Sequence, residues 1–197
     1  MSYIHIPTKR YPVSEADIRA AYPRTSFPAQ FVPPPEYAWV YPTPVPQHDG
    51  NTQAVRETPP VKVAHKYEQR WEVVELPTTV IEDNRQRERA ARVARIKTIR
   101  DDKMNNGGYP VGALWFHSDL ISRTQQLGLL QLGANIPDDL RWKTMDGTFT
   151  LMTQGLIQQV LASAATQDTA IFEHAERLIA DESLDISEGW PATYRGR

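Results

Sequence analysis

Apolar and polar side chains alternate from Val61 to Val73. Val61, Val63, His65, Tyr67, Gln69, Trp71 and Val73 fall on one face, and Lys62, Lys66, Glu68, Arg70 and Glu72, with Ala64 among them, on the other. A period of two is that of a half-buried strand, so the stretch predicts an antiparallel strand or hairpin with Trp71 as its best core candidate. After Thr153, an N-cap residue type, the period lengthens. Ile157, Leu161, Ala164, Ile171, Ala175 and Leu178 recur every three or four residues, which predicts a long helix with a heptad-like seam of about seven turns.

Between these two stretches, Thr78 or Thr79 starts a helix, with Glu82 three positions beyond Thr79 and Asp83 suited to a helix N-terminus. It is expected to run to about Met104, where Asn105-Asn106-Gly107-Gly108 ends it. Ala90, Val93, Ala94, Ile96 and Ile99 form only a narrow apolar stripe, which suits a spacer or a coiled-coil edge better than a core helix. Tyr109 to Phe116 predicts a strand or hairpin, and Ser118 or Asp119 caps a helix containing Leu120, Ile121, Thr124 and Leu127. Asp146-Gly147 between apolar segments predicts a hairpin from Trp142 to Met152.

The first part of the chain is different in kind. Thirteen of the sixteen prolines lie in residues 1–77. Ser14, with Asp17 three positions on, starts a short helix to about Ala21, which Pro23 stops. Thr25 to Gln47, with Pro33-Pro34-Pro35 and Tyr41-Pro42-Thr43-Pro44-Val45-Pro46, is expected to be an extended, polyproline-like ribbon. His48-Asp49-Gly50-Asn51 is a turn, and Thr52 to Glu57 a strand that Pro59-Pro60 should break. The ribbon carries Phe27, Phe31, Tyr37, Trp39 and Tyr41, which disordered segments tend to lack, so it is expected to be held on a surface, its own or a partner's.

Composition narrows the function classes. With 197 residues the chain can hold one ordinary domain and an appendage, or two small domains. A formal charge of -2 and a pI of about 6.2 argue against a nucleic-acid protein on bulk electrostatics. The absence of cysteine excludes disulfides, thiolate metal sites and cysteine nucleophiles. No apolar run reaches the roughly 20 residues of a membrane span and no signal peptide is readable, so the expectation is a soluble protein made in the cytoplasm. No glycine-rich phosphate loop can be read around Gly107-Gly108.

The candidate chemistry is thin. His117 and Asp119 lie two apart without a third ligand at a metal-site spacing, and His48-Asp49 reads as a turn. Asp101-Asp102 and Asp138-Asp139 fall at element ends, where acids serve as solvated caps. Eight Lys or Arg between Arg85 and Lys103 could neutralise phosphates, but the stretch from Glu82 also holds five acids and no aromatic residue lies within it for base stacking. The aromatic residues say more, since Trp and Tyr bury large areas at interfaces with few rotamers lost. Trp115 and Trp142 fit the predicted sheet as core. For Trp39 with Tyr41, and Trp190 with Tyr194, packing and interface readings both stand.

Three segments carry a family likeness: Gly108-Tyr109-Pro110-Val111-Gly112-Ala113-Leu114-Trp115-Phe116-His117-Ser118-Asp119, then Gly133-Ala134-Asn135-Ile136-Pro137, then Trp142-Lys143-Thr144-Met145-Asp146-Gly147. Together, over residues 84–194, they resemble a domain of unknown function common near the C-terminus of tailed-bacteriophage tail proteins. More loosely, Tyr22-Pro23-Arg24-Thr25-Ser26-Phe27-Pro28, the turn at His48-Asp49 and Arg70-Trp71-Glu72-Val73-Val74 resemble phage proteins of the tail-fibre assembly type. In those proteins a small β-rich N-terminal domain leads through a helix into a variable C-terminal domain. The family supplies no catalytic residue.

The expected fold is α+β: a Pro-rich β module over 1–77, a connecting helix over 78–106, and a C-terminal domain over 107–197 of β-hairpins packed on two helices. The resemblance implies a tail-fibre accessory protein that binds a trimeric fibre and assists its assembly or stays at its tip. A permanent structural component of the tail, fibre or baseplate and a nucleic-acid-binding phage protein using the basic helix are the alternatives. The candidate partner-binding residues are Phe27, Phe31, Trp39, Tyr41, Tyr67, Trp71, Trp190 and Tyr194. No enzyme activity, cofactor, metal, small-molecule substrate or membrane contact is expected, and the location is the host cytoplasm during assembly, with retention in the virion tail left open.

Overall fold

The computed structural model describes residues 2–196. They form a mixed α+β structure, as the sequence predicts, and divide into two compact units between Gln86 and Arg87.

The first unit is built on a five-stranded sheet. Its strands are β1 (Ser2–His5), β2 (Arg10–Val13), β3 (Tyr37–Tyr41), β4 (Gln53–Val63) and β5 (Lys66–Glu75), in the order β2-β1-β3-β5-β4. β1 runs antiparallel to β2 and β3, β3 parallel to β5, and β4 with β5 forms a long hairpin turned at Ala64 and His65. Consecutive strand residues face opposite sides, so Tyr3 and Ile4 enter two different cores. Tyr3 packs with Val13 and Ile18, supported by Tyr22, Phe27, Phe31 and Tyr37; Ile4 packs with Val40 and Tyr67, supported by Ile6, Tyr11 and Ala38. Ile18 comes from α1 (Glu15–Ala21), whose capping box pairs the Ser14 side chain with the Asp17 amide and the Asp17 carboxylate with the Ser14 amide.

Three expectations for this unit are corrected. The ribbon of residues 25–47 contains β3 at the centre of the sheet, because its prolines, at 35 and 42, frame Tyr37-Ala38-Trp39-Val40-Tyr41 without interrupting it. Pro59-Pro60 do not end their strand. β4 lies at the sheet edge, and the two prolines sit where its register shifts between Thr58 and Val61, a bulge that needs no amide donor. Trp71 is only half-buried, and Tyr67, at 7 % exposure, takes the core position on β5. β1 and β2 were not foreseen.

α2 (Thr78–Asn106) begins as expected and crosses into the second unit. There the chain forms two hairpins, β6 (Tyr109–Val111) with β7 (Leu114–Phe116) and β8 (Arg141–Lys143) with β9 (Phe149–Leu151), and two helices, α3 (Leu120–Leu132) and α4 (Gln154–Ala180). Asp119 caps α3 through the Ser122 amide and Thr153 caps α4 through the Leu156 amide. The N-terminal half of α4 buries Ile157 and Val160 against Tyr109, Phe116, Ile136 and Met152 of the hairpin region. Its C-terminal half buries Ala175 and Leu178 against Ile96 of α2 and Trp190 of the closing segment. Arg92 of α2 donates from Nη2 to the carbonyls of Leu178, Asp181 and Leu184, at 3.3, 3.2 and 2.8 Å, and so satisfies the C-terminus of α4. Gly108, at φ 75°, has no room for a side chain beside Met145 and the Phe116 carbonyl, which lets the first hairpin close on the second.

α3 is held by Arg123. Its Nε donates to the Ser118 carbonyl at 2.5 Å, Nη2 to the Met104 carbonyl at 2.6 Å and Nη1 to the Asp168 carboxylate of α4 at 3.1 Å. The guanidinium lies 5.3 Å from the centre of the Tyr109 ring, whose hydroxyl also donates to Asp168. This setting turns Ser122, Arg123, Gln126 and Leu129 inward. Leu120, Ile121 and Leu127 are 75 %, 71 % and 53 % exposed.

Ile171 is fully buried and Leu161 only partly. Ile171→Ala should cost about 2–5 kcal/mol and Leu161→Ala about half as much, measured by denaturant unfolding. Equal costs would mean that the α4 seam is buried differently. Arg123→Met tests the α3 anchor. Burial raises the Asp168 carboxyl pKa even with Arg123 beside it. The native state therefore holds the Asp168 proton above the unfolded Asp value, and this group's contribution to stability falls as pH rises through that window. Without Arg123 the window widens. Arg123→Met should cost about 2 kcal/mol at pH 7, discounted for partial exposure, and the deficit should narrow as pH falls and Asp168 takes up its proton. A deficit independent of pH would remove Asp168 from the account.

Candidate interaction surfaces

On β3, Trp39 and Tyr41 project from the same face and stack with ring centres 4.6 Å apart and planes 28° from parallel. They are 41 % and 39 % exposed. Lys66 lies 5.2 Å from the Tyr41 ring centre and pairs with Glu68 at 2.8 Å. Tyr41 stands opposite Glu68, Glu68 opposite Val61, and Lys66 opposite Val63. Opposed side chains share a face, so the exposed Val61 and Val63 extend the stack into a flat apolar patch crossed by one ion pair. Farther along the same face, α1 and residues 22–37 cover Tyr3 and Tyr37. The patch is the part of this face that they leave open.

A hollow of about 340 Å³ is lined by Ser2, Tyr11, Trp39, Val40, Pro42 and Gln69. The Tyr11 hydroxyl donates to the Glu57 carboxylate, which also accepts from Gln69 Nε2 at 2.6 Å. Burial and the neighbouring Glu57 push the Tyr11 phenol up to about 12. It stays protonated at neutral pH, and its polar neighbours are matched to one another, an arrangement fit for shape and not for proton transfer.

The sheet edges are closed to strand addition where proline stands in them. β2 carries Pro12 and β4 carries Pro59 and Pro60. Proline offers no amide to an incoming strand. β3 and β5 are interior, so the strand around Trp71 cannot offer an edge.

Six of the eight candidate partner-binding aromatics make contacts within their own unit. Phe27 and Phe31 lie 5.1 Å apart beneath the Arg19 guanidinium and fasten residues 22–37 to α1 and β1. Tyr67 is core. Trp71 Nε1 donates to the Thr43 carbonyl at 3.2 Å, which ties the segment after β3 to β5. Trp190 packs edge-on against His174 at 4.7 Å and donates to the Ile186 carbonyl at 2.8 Å. Tyr194 lies 6.1 Å from Trp115, and its amide donates to the Gly107 carbonyl at 2.8 Å. Gly189, at φ 75°, passes so close to His174 that a side chain there would collide with the imidazole. The closing segment, expected as a polar tail, is thus part of the second unit. Trp39 and Tyr41 alone of the eight stand exposed.

The polar candidates have local roles. The His117 carbonyl accepts from Gln126 Nε2 at 2.9 Å, and Asp119 caps α3, with the Ser122 hydroxyl and amide holding its carboxyl below the usual range. Asp49 organises its turn by accepting from the Asn51 amide and the Thr52 hydroxyl. Among the described residues no group of three or more His, Cys, Asp or Glu could hold a metal ion, and no helix is long and apolar enough to cross a membrane. On the basic helix, Arg89 pairs with Glu182, Arg92 binds carbonyls, Arg100 lies over Phe172 and pairs with Asp101, and Lys103 lies over Trp190. These four cations have partners within the second unit, which weakens the case for a phosphate-binding face.

Sequence reasoning missed the outer face of α3. The residue types placed the helix but not which side of it faces out. The signal that could have found it was Arg123, the one charged residue in the thirteen of the helix and so the residue that must find a specific partner.

No curated protein and no solved structure matches the chain. Residues 87–188, just over half of it, match a family described as a domain of unknown function, DUF4376. That range falls within residues 84–194, on which the likeness in the sequence rested, and it takes in both hairpins, α3, α4 and most of α2. The chain belongs to the DUF4376 family.

Proposed function

We propose that the protein is an accessory protein of a bacteriophage tail fibre, one that binds the fibre and assists its assembly or stays at its tip. The observation that carries this reading is the exposed Trp39–Tyr41 stack. Both rings stand on a central strand paired on both sides, so they are presented with their orientation already fixed and little side-chain entropy left to lose on binding. The sequence likeness to phage tail and tail-fibre assembly proteins supplies the partner. Fibre tips are β-rich trimers whose non-local pairing is slow and whose apolar faces and open edges aggregate before the chains meet. A flat apolar face such as Trp39, Tyr41, Val61 and Val63 can cover such a surface while proline-bearing edges keep the protein from joining the fibre's own sheets. The role is binding and not catalysis, exercised in the host cytoplasm during assembly. An accessory that stays at the tip will be found in purified virions at fibre stoichiometry, and one that leaves will not.

The double variant Trp39→Ala with Tyr41→Ala, co-expressed with the neighbouring fibre protein, should bind the fibre at least about 2 kcal/mol more weakly. Its own stability should fall by no more than about 1 kcal/mol, the scale of the lost ring stacking. Unchanged fibre affinity, measured by calorimetry or size exclusion, would sink the role assigned to this patch.

A further inference from the structure

From the hollow between α3 and the β8–β9 hairpin we infer that the second unit binds an acidic side chain flanked by large apolar residues, presented by a segment of a partner protein. The hollow, of about 350 Å³, is bordered by Arg141, Lys143 and Phe149 of the hairpin, Gln125 of α3 and His117 before it, and no carboxylate lines it. Arg141 and Lys143 stand two apart on β8, so they share a face of the hairpin. Both are exposed, and neither has an ion-pair or hydrogen-bond partner among the described residues, whereas Arg89, Arg100 and Arg123 of the same unit are each paired with an acid. Asp119, joined to the site through Ser122, is held in the α3 cap by the Ser122 amide and hydroxyl. A guanidinium and an ammonium set side by side without a counter-charge, with an imidazole and an amide beside them, form a site for an anion.

The surroundings decide what carries the anion. Leu151 stands opposite Arg141 and Phe149 opposite Lys143, so each cation shares its face with an exposed apolar side chain. On α3, Ile121 lies one turn before Gln125 and Leu132 two turns after it on the same stripe, and both are exposed. The apolar rim therefore extends past the hollow on both elements, farther than a small free acid reaches. A nucleic-acid strand fits poorly, because its phosphates recur at every nucleotide and need cations that recur with them. Here the exposed Asp138 and Asp139 precede β8 and Asp146 lies in the turn after it, so carboxylates stand at both ends of the short cationic strand. One carboxylate between Arg141 and Lys143, with apolar neighbours on Phe149 and Ile121, matches both the charge and the rim. This site lies in the second unit and does not depend on the reading of the Trp39–Tyr41 stack.

Titration of the full chain with the peptide acetyl-Leu-Glu-Phe-Leu-amide, followed by nuclear magnetic resonance, tests the inference, with saturable binding expected at a Kd of about 1 mM or tighter. The indole signal of Trp142, which lines the hollow, should move with it. The same peptide with Gln in place of Glu should bind at least about tenfold more weakly, the scale of one charge-assisted pair. Arg141→Gln with Lys143→Gln should erase that preference and leave the thermal melt unchanged, since neither side chain has a partner to lose. Phe149→Ser should weaken both peptides and keep the preference. Absence of saturation at about 10 mM, tenfold above that Kd, would overturn the inference. So would equal binding of the two peptides, a preference that survives in the double variant, or tighter binding of phenylacetate, adenosine monophosphate or oligodeoxythymidylate than of the Glu peptide.

Discussion

Holding the partly buried Arg123 beside Asp168 favours one rotational setting of α3, and the surface of the second unit follows from it. Rolling the helix over would sink Leu120, Ile121 and Leu127, at about 1.5–3 kcal/mol for each fully buried side chain. The same roll would withdraw the guanidinium from the Ser118 and Met104 carbonyls and from the Asp168 carboxylate, and would expose Leu129. Unpaired buried acceptors cost about 1–3 kcal/mol each, and a partly buried carboxylate without its cation adds to that. The two sums are of similar size. A helix so balanced keeps its apolar side outward only because its polar side is specifically satisfied, and the outward side remains available for association.

The elements that could be read from the sequence are those whose signals are local. Ser14 with Asp17, Asp119 with Ser122, and Thr153 with Leu156 are caps made within one helical turn, and all three starts fall where the residue types place them. The seam of α4 could be read because its burial repeats along a single helix. What could not be read depended on partners distant in sequence. β3 is a strand because β1 and β5 supply the pairing on its two sides, 36 and 27 residues away at the Tyr3–Trp39 and Tyr41–Glu68 pairs. Tyr67 is core and Trp71 is not because Val40 lies opposite the former. The cap placed the start of α3, and only the ion pair to α4 sets which of its sides faces inward.

The basic stretch of α2 shows how composition misleads when charges are read without geometry. Its eight cations suggest a phosphate-binding face, yet Arg92 lies at the carbonyl end of α4, where the helix dipole and unpaired acceptors favour a cation. Arg100 and Lys103 place their charged ends over the Phe172 and Trp190 rings, 4.9 and 5.8 Å from the ring centres. A helix with a narrow apolar stripe can then be held by its charged residues as much as by Ile96. The same reasoning accounts for the sparse core contribution of α2 without assigning it a nucleic-acid partner.

In the first unit the prolines and the aromatic residues answer one problem. An open five-stranded sheet has two edges that could recruit other strands and two faces that must be covered. Pro12, Pro59 and Pro60 remove amide donors from the outer strands, and the bulge between Thr58 and Val61 bends the longer one, so growth by strand addition is discouraged. Face coverage is uneven. α1 and residues 22–37 stop short of Trp39 and Tyr41, although Phe27 and Phe31 show that aromatic side chains elsewhere in the segment are used for packing. Prolines at 42, 44 and 46 carry the chain away along β5, tied by Thr43 to Gln69 and Trp71, and so prevent residues after β3 from folding back over the stack. A sheet with its edges blocked and one apolar end of a face left open has that face as its accessible apolar surface, and the prolines after β3 help keep it open.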